Sequence, residues 1–141
     1  MNAPFERPLC IQPIIGWREW RARRTPQGVR LVSLYTCVEW EPGHPMTGDP
    51  LAQAGFMEPY TPFGVYAWRY PNFSWGDKKD AFVQGTVYLW GTVVEHVHGY
   101  RAQYAYPRAL VDDGREIVRA LARAYGCELI PSPPPIKESA S

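Results

Sequence analysis

Residues 82–106, FVQGTVYLWGTVVEHVHGYRAQYAY, read as two long, bent, aromatic-rich strands joined at Gly99, and no other stretch limits the fold as much. At period two, Val83, Val87, Leu89 and Val93 fall on one face, and Phe82, Thr86, Tyr88, Trp90 and Val94 on the other. A strand that seeks apolar cover on both faces belongs inside a sheet or barrel, not at its edge. Gly85 and Gly91 interrupt the first strand on one face, where a missing side chain permits a bulge, a bend or the close approach of another backbone. The expectation is barrel-like curvature.

A chain of 141 residues suffices for one ordinary core and is short for two domains, which predicts a single domain. Aromatic residues at 14%, together with 12 Gly and 15 Pro, favour short strands and many turns. A formal net charge of +1 supplies no global basic field, so any nucleic-acid contact has to come from a local patch. Cys10, Cys37 and Cys127 are odd in number and lack CxxC spacing, which argues against a disulfide framework or a zinc ribbon and for a reducing compartment. The start, MNAPFERPLC, has no signal-peptide pattern, and no apolar run approaches the ~18 residues of a membrane span. These features predict a soluble, cytoplasmic protein, in a host cytoplasm if the gene is viral, with no membrane partner.

Pro4, Pro8 and Pro13 mark residues 1–15 as an extended arm, and the Pro/Ser-rich residues 131–141 have almost nothing to bury and read as a disordered tail. Residues 16–130 form the expected β-rich globular domain. Within it, residues 16–40 read as a hairpin around TPQG, whose Pro26 and Gly28 are turn residues. Residues 41–62 are a long Pro- and Gly-rich connection of the kind that is often functional or mobile, and residues 64–70 a short strand. Ile117, Val118, Leu121 and Tyr125 recur at helical spacing and predict a helix over about 114–125, with Asp113 and Glu116 as a capping box and Gly126 as the C′ residue. CELI after the helix is a candidate last strand closing the sheet.

LWGTVVEHVHGYRAQYAYP, residues 89–107, with GVYA at 64–67 and the early GWREW, resembles a family of small uncharacterised proteins of actinobacteria and their phages. The family pattern is a Gly-[Ile/Val]-x-Ala strand, then Leu-Trp-Gly-x-Val with Glu-His, then Gly-Tyr-Arg-Ala and Ala-Tyr-Pro, and the resemblance implies no activity. Relatives that resemble this chain often carry cysteines just ahead of the Gly-x-x-Ala strand, where it has Tyr60, Pro62 and Phe63.

No Ser, His and acid constellation, GxSxG elbow or phosphate-cradling glycine loop is present, so no catalytic residue and no cofactor is predicted. Cys37 and Cys127 read as inert thiols, and Asp112 and Asp113 as helix-capping groups rather than acid–base catalysts. Glu95, His96 and His98 are weak metal candidates: the two imidazoles share one side of a strand, and a third ligand would have to come from His44, Cys37 or a distant acid. The more suggestive pattern is the interleaving of Trp17, Arg18, Trp20, Arg21, Arg23 and Arg24, followed by Trp68, Arg69, Tyr70, Phe73 and Trp75. Flat rings beside guanidinium groups suit stacking on bases with phosphate contacts. The same residues also suit barrel cores and protected strand edges. Arg101 offers an acidic-ligand contact or a cross-strand pair with Glu95, and Arg115, Arg119 and Arg123 form a helix stripe open to phosphates or to water.

The fold expected is mainly β (α+β): a small partly open antiparallel barrel or twisted sheet of five to seven strands, SH3-, OB- or PUA-like in size, with one C-terminal helix. The function expected is a non-catalytic binding module for nucleic acid or a nucleotide-like small molecule, with Trp17, Trp20, Arg21, Trp68, Arg69, Trp75 and Arg101 as its ligand-binding residues. A phage or mobile-element factor that occupies a host protein, and a metal-dependent hydrolase using Glu95, His96 and His98, are the alternatives.

Overall fold

The computed structural model describes residues 12–34, 38–48, 64–71 and 82–132. Residues 1–11 of the expected arm, most of the 41–62 connection, Cys37, Phe73, Trp75 and the tail from 133 onward lie outside the described residues, as do Tyr60, Pro62 and Phe63.

The described residues contain eight strands: β1 Ile14–Thr25, β2 Gly28–Ser33, β3 Glu39–Trp40, β4 Met46–Thr47, β5 Val65–Trp68, β6 Phe82–Glu95, β7 Gly99–Val111 and β8 Glu128–Ile130. Among them a helix, α1 Glu116–Tyr125, stands between β7 and β8. β6 is paired on both sides, with β1 and with β7, as its two apolar faces predict. β7 carries β5 and β4 on its other edge, and β5 touches back on β1 through the single pair Trp17–Trp68. Strands β1, β6, β7 and β5 thus describe a partial ring that is not closed into a barrel. All pairings are antiparallel except β7 with β8. β1 starts at Ile14, ahead of the expected domain boundary, because Ile14 pairs with Leu89 and packs on the core.

The curvature is explained by two register shifts in the β6–β7 ladder, between Thr86 and Val87 and between Trp90 and Val93. They lie beside Gly85 and Gly91. A Cβ on Gly85 would stand 2.2 Å from the Ala109 carbonyl oxygen, so only glycine lets the two backbones come together there. Gly91 adopts φ of +83°, a left-handed conformation that side chains disfavour, and marks the second irregularity. The concave side holds Trp20, Leu31, Val83, Val87, Leu89 and Leu110, closed over by Val118, Leu121 and Tyr125 of α1.

The helix ends as its sequence predicts and starts differently. Gly126 takes the left-handed conformation, and its N–H donates to Ala122 O. At the other end the N-cap is Arg115, without a side-chain cap, so the Asp113–Glu116 capping box does not form. Asp113 instead accepts from the Arg115 backbone N–H at 3.2 Å and pairs with the Arg115 guanidinium at 2.7 Å, while Asp112 accepts from the Gly114 N–H at 3.0 Å. Burial alone would raise the Asp113 pKa, but the Arg115 hydrogen bonds outweigh it and hold the carboxyl below its ordinary value.

One hydroxyl ties the helix to the sheet. Tyr125 Oη accepts from the Leu31 N–H at 2.8 Å and donates to Trp40 O, bridging β2 and β3 at their register pair. Tyr106 donates to Tyr125 O at 2.9 Å and accepts from the Gly43 N–H at 2.7 Å. Burial pushes Tyr125 up to about 12 and Tyr106 upward as well. Among the described residues no helix is long and apolar enough to cross a membrane.

Two outcomes are expected. Gly85→Ala should cost about 1–3 kcal/mol in urea denaturation, the usual cost of forcing extra atoms into a packed site. Tyr125→Phe should cost about 1–3 kcal/mol, because it strands the Leu31 N–H and the Trp40 carbonyl. Since the folded pKa of Tyr125 lies above the unfolded value of about 10, its stabilisation is intact below pH ~10 and lost as pH rises toward about 12. The stability difference between wild type and Tyr125→Phe should therefore narrow across that window, measured by thermal denaturation at a series of pH values.

Candidate aromatic and arginine face

Side chains two apart on a strand share a face, and so do register partners across a ladder. Trp17 pairs with Trp68, Tyr66 with Arg101, and Trp68 with Gly99. Trp17, Tyr66, Trp68 and Arg101 consequently lie on one face of the β1–β5–β7 layer, opposite the face that buries Ala67 and Ala102. All four are half-buried. The Tyr66 and Trp68 rings meet edge to face, with centroids 5.3 Å apart and planes at 88°. Gly99 keeps the face close to the backbone, since a Cβ there would stand 2.7 Å from the Tyr66 hydroxyl.

Three of the seven expected binding residues, Trp17, Trp68 and Arg101, are thereby brought together. Tyr66, not among the expected residues, joins them; its signal is the period-two relation to Trp68 in VYAW. Arg21 is exposed on the same face of β1, farther along, with its guanidinium 5.8 Å from the Phe82 ring. The remaining three are placed elsewhere or not described. Trp20 is 0% exposed and packs edge to face on Trp40 at 5.5 Å, so it serves the core and presents no ring to a ligand. Trp75 lies outside the described residues.

Arg69 is absorbed by the fold. It wraps the β6–β7 turn, pairing with Glu95 at 3.0 Å, donating to Val97 O at 3.1 Å, to His96 O and to Tyr100 Oη at 3.0 Å. The hydrogen bond to Glu95 is the main cause of its raised pKa. This also corrects the expected Glu95–Arg101 pair. The register places Glu95 opposite Tyr100 and Arg101 opposite Val94, and Arg69 takes the carboxylate. Arg101 Nε is buried without a hydrogen-bond partner among the described residues.

Glu95 is therefore committed to an arginine, and among the described residues no three His, Cys, Asp or Glu side chains converge to hold a metal ion. His44 stands apart, 3.8 Å from Glu41. The helix stripe is also occupied: Arg115 pairs with Asp113, Arg119 with Asp112 at 3.5 Å, and Arg123 with Glu116 at 3.1 Å.

Arg18, on the inner face of β1, is a half-buried cation with no carboxylate in ion-pair contact among the described residues. It donates to Tyr66 O and to Ser33 Oγ, the latter at 3.2 Å, and lies 5.0 Å from the Trp40 ring centroid. Ser33 Oγ also accepts from Trp40 Nε1 at 2.9 Å. Burial lowers the Arg18 pKa to about 10, which leaves it charged at neutral pH. The ring face of Trp40 and two oxygens stand in for a counter-ion and tie β1 to β2, β3 and β5.

Comparison with protein-family models, with curated proteins and with solved structures returns no match.

Cys127 Sγ donates to Pro107 O at 3.5 Å, and burial pushes its thiol up to about 12. A thiol so shifted is almost wholly protonated near pH 8 and is a poor nucleophile. In a protein carrying Cys10→Ser and Cys37→Ser, a disulfide reagent should leave the folded state unlabelled and react promptly once denaturant is added. Rapid native labelling would contradict the shift.

Proposed function

We propose that the protein is a non-catalytic binding module that recognises nucleic acid or a nucleotide-like ligand on the face built by Trp17, Tyr66, Trp68 and Arg101. The observation that carries this reading is the convergence of three aromatic rings from two strands beside a guanidinium with no carboxylate partner among the described residues. Ring faces stack on any base irrespective of sequence, and an arginine fork matches a phosphate in geometry and charge. Arg69 beside the face and Arg115, Arg119 and Arg123 at the helix are each paired with an acid, so an arginine without one is not the general condition of the described residues.

Stacking on one aromatic side chain contributes ~1–3 kcal/mol per base. Trp17→Ala and Trp68→Ala should each weaken oligonucleotide or nucleotide binding by about 5- to 150-fold in a fluorescence titration. Arg101→Ala should weaken it in a salt-dependent way. Unchanged affinity in all three variants would remove the face from consideration and leave the capture of a host protein as the reading to pursue.

A further inference from the structure

We infer that the ligand of this face is a single-stranded oligonucleotide several residues long, whose backbone runs from the Trp17–Trp68 platform along β1 onto a basic two-stranded ribbon. The inference rests on the proposed binding face and adds the class and length of what it holds.

The ribbon follows from unequal pairing along β1. Among the described residues pairing with β6 stops at Arg21–Phe82, whereas pairing with β2 continues to Thr25–Gly28. Residues 22–25 and 28–31 therefore run on past the last described β6 pair as a two-stranded ribbon, one face of which packs on the core through Ala22, Val29 and Leu31. Arg21 and Arg23 follow Trp17 and Glu19 at period two on one face of β1, and Arg24 stands on the other side near the tip. Arg21, Arg23 and Arg24 are exposed, and none has an ion pair among the described residues. The chain has no Asp or Glu between Glu19 and Glu39. Glu19 itself lies in the path, where it accepts from the Gln84 amide at 3.4 Å.

Charge placement on the ribbon favours a polyanion. Arg23 stands directly across from Arg30, and like charges opposed across an antiparallel pair repel. Glu39, 3.5 Å from Arg30, answers one of the two. A phosphate chain along this side would answer the other.

Length separates an oligonucleotide from a single nucleotide. From Trp17 to Arg23 the strand covers about 20 Å at ~3.3 Å per residue. One nucleotide cannot reach both ends, whereas about six stacked nucleotides at ~3.4 Å each can. The half-buried rings supply the base contacts and the exposed arginines the phosphate contacts, the division found in sequence-tolerant single-strand binders.

The test is fluorescence anisotropy with labelled oligothymidylates and oligouridylates of about 2 to 12 nucleotides, at salt concentrations from about 50 to 200 mM. Affinity should climb with length to about six nucleotides and then level off. Replacing Arg21 and Arg23 together by Ala should flatten that climb and reduce the slope of log K against log salt by about 1.4, at about 0.7 per lost single-strand phosphate contact. The corresponding double Lys variant, which keeps the charges, should retain the slope and guards against a folding defect in the Ala variant. If the Ala variant keeps both length dependence and slope while Trp17→Ala still weakens binding, the ribbon plays no part and the inference falls, with the binding face intact. If no oligomer binds, or Trp17→Ala and Trp68→Ala have no effect, the reading of the face falls as well. Preference for thymidylate or uridylate distinguishes DNA from RNA.

Discussion

Everything else in this fold is arranged around the close contact of β6 with β7, where the Gly85 Cα passes the Ala109 carbonyl with no room for a side chain. That contact lies beside the first register shift, and Gly91 lies at the second. A ladder broken twice in this way bends and twists more than a regular one. The bend brings β5, on the far edge of β7, around to meet β1. Without it Trp17 and Trp68 would be separated by the width of the sheet. The partial ring and the candidate face thus have one cause.

The arginines divide by what they touch. Arg18 and Arg69 hold the framework, the first inside the ring against Trp40 and two oxygens, the second around the β6–β7 turn. Arg115, Arg119 and Arg123 are matched to acids at the helix. Such exposed ion pairs contribute little to stability, about 0–1 kcal/mol each, but they remove positive charge from that side of the molecule. The arginines without an acid among the described residues include Arg101 on the aromatic face and Arg21, Arg23 and Arg24 along β1. A net charge of +1 conceals this separation, because composition sums over residues that never meet.

Much of the fold was legible in the residues. The two-faced apolar pattern of β6 announced an interior strand, TPQG announced a hairpin turn, and the helix and its C′ glycine fell where spacing put them. The capping box was not legible, because Asp113 had a competing partner in Arg115. The site was harder to read. Trp17, Trp20 and Trp68 are alike in the sequence, yet an odd or even position on β1 sends Trp17 to the outer face and Trp20 to the core. Tyr66 has the same alternation as Trp68 in VYAW, but a tyrosine is as common in a β core as on a binding face. The partner of Glu95 depended on a register shift at Gly91 and on a third strand that brings Arg69 alongside.

Local chemistry, then, determined which segments become strands, where they turn and where the helix stops, because alternation, glycine conformations and helical spacing act over a few neighbouring residues. Which tryptophans stand together, which arginines are neutralised and which stay uncompensated was decided by strand register and by the closure of β5 on β1. Those depend on contacts between residues some 50 positions apart, such as Trp17 with Trp68, and no local pattern encodes them.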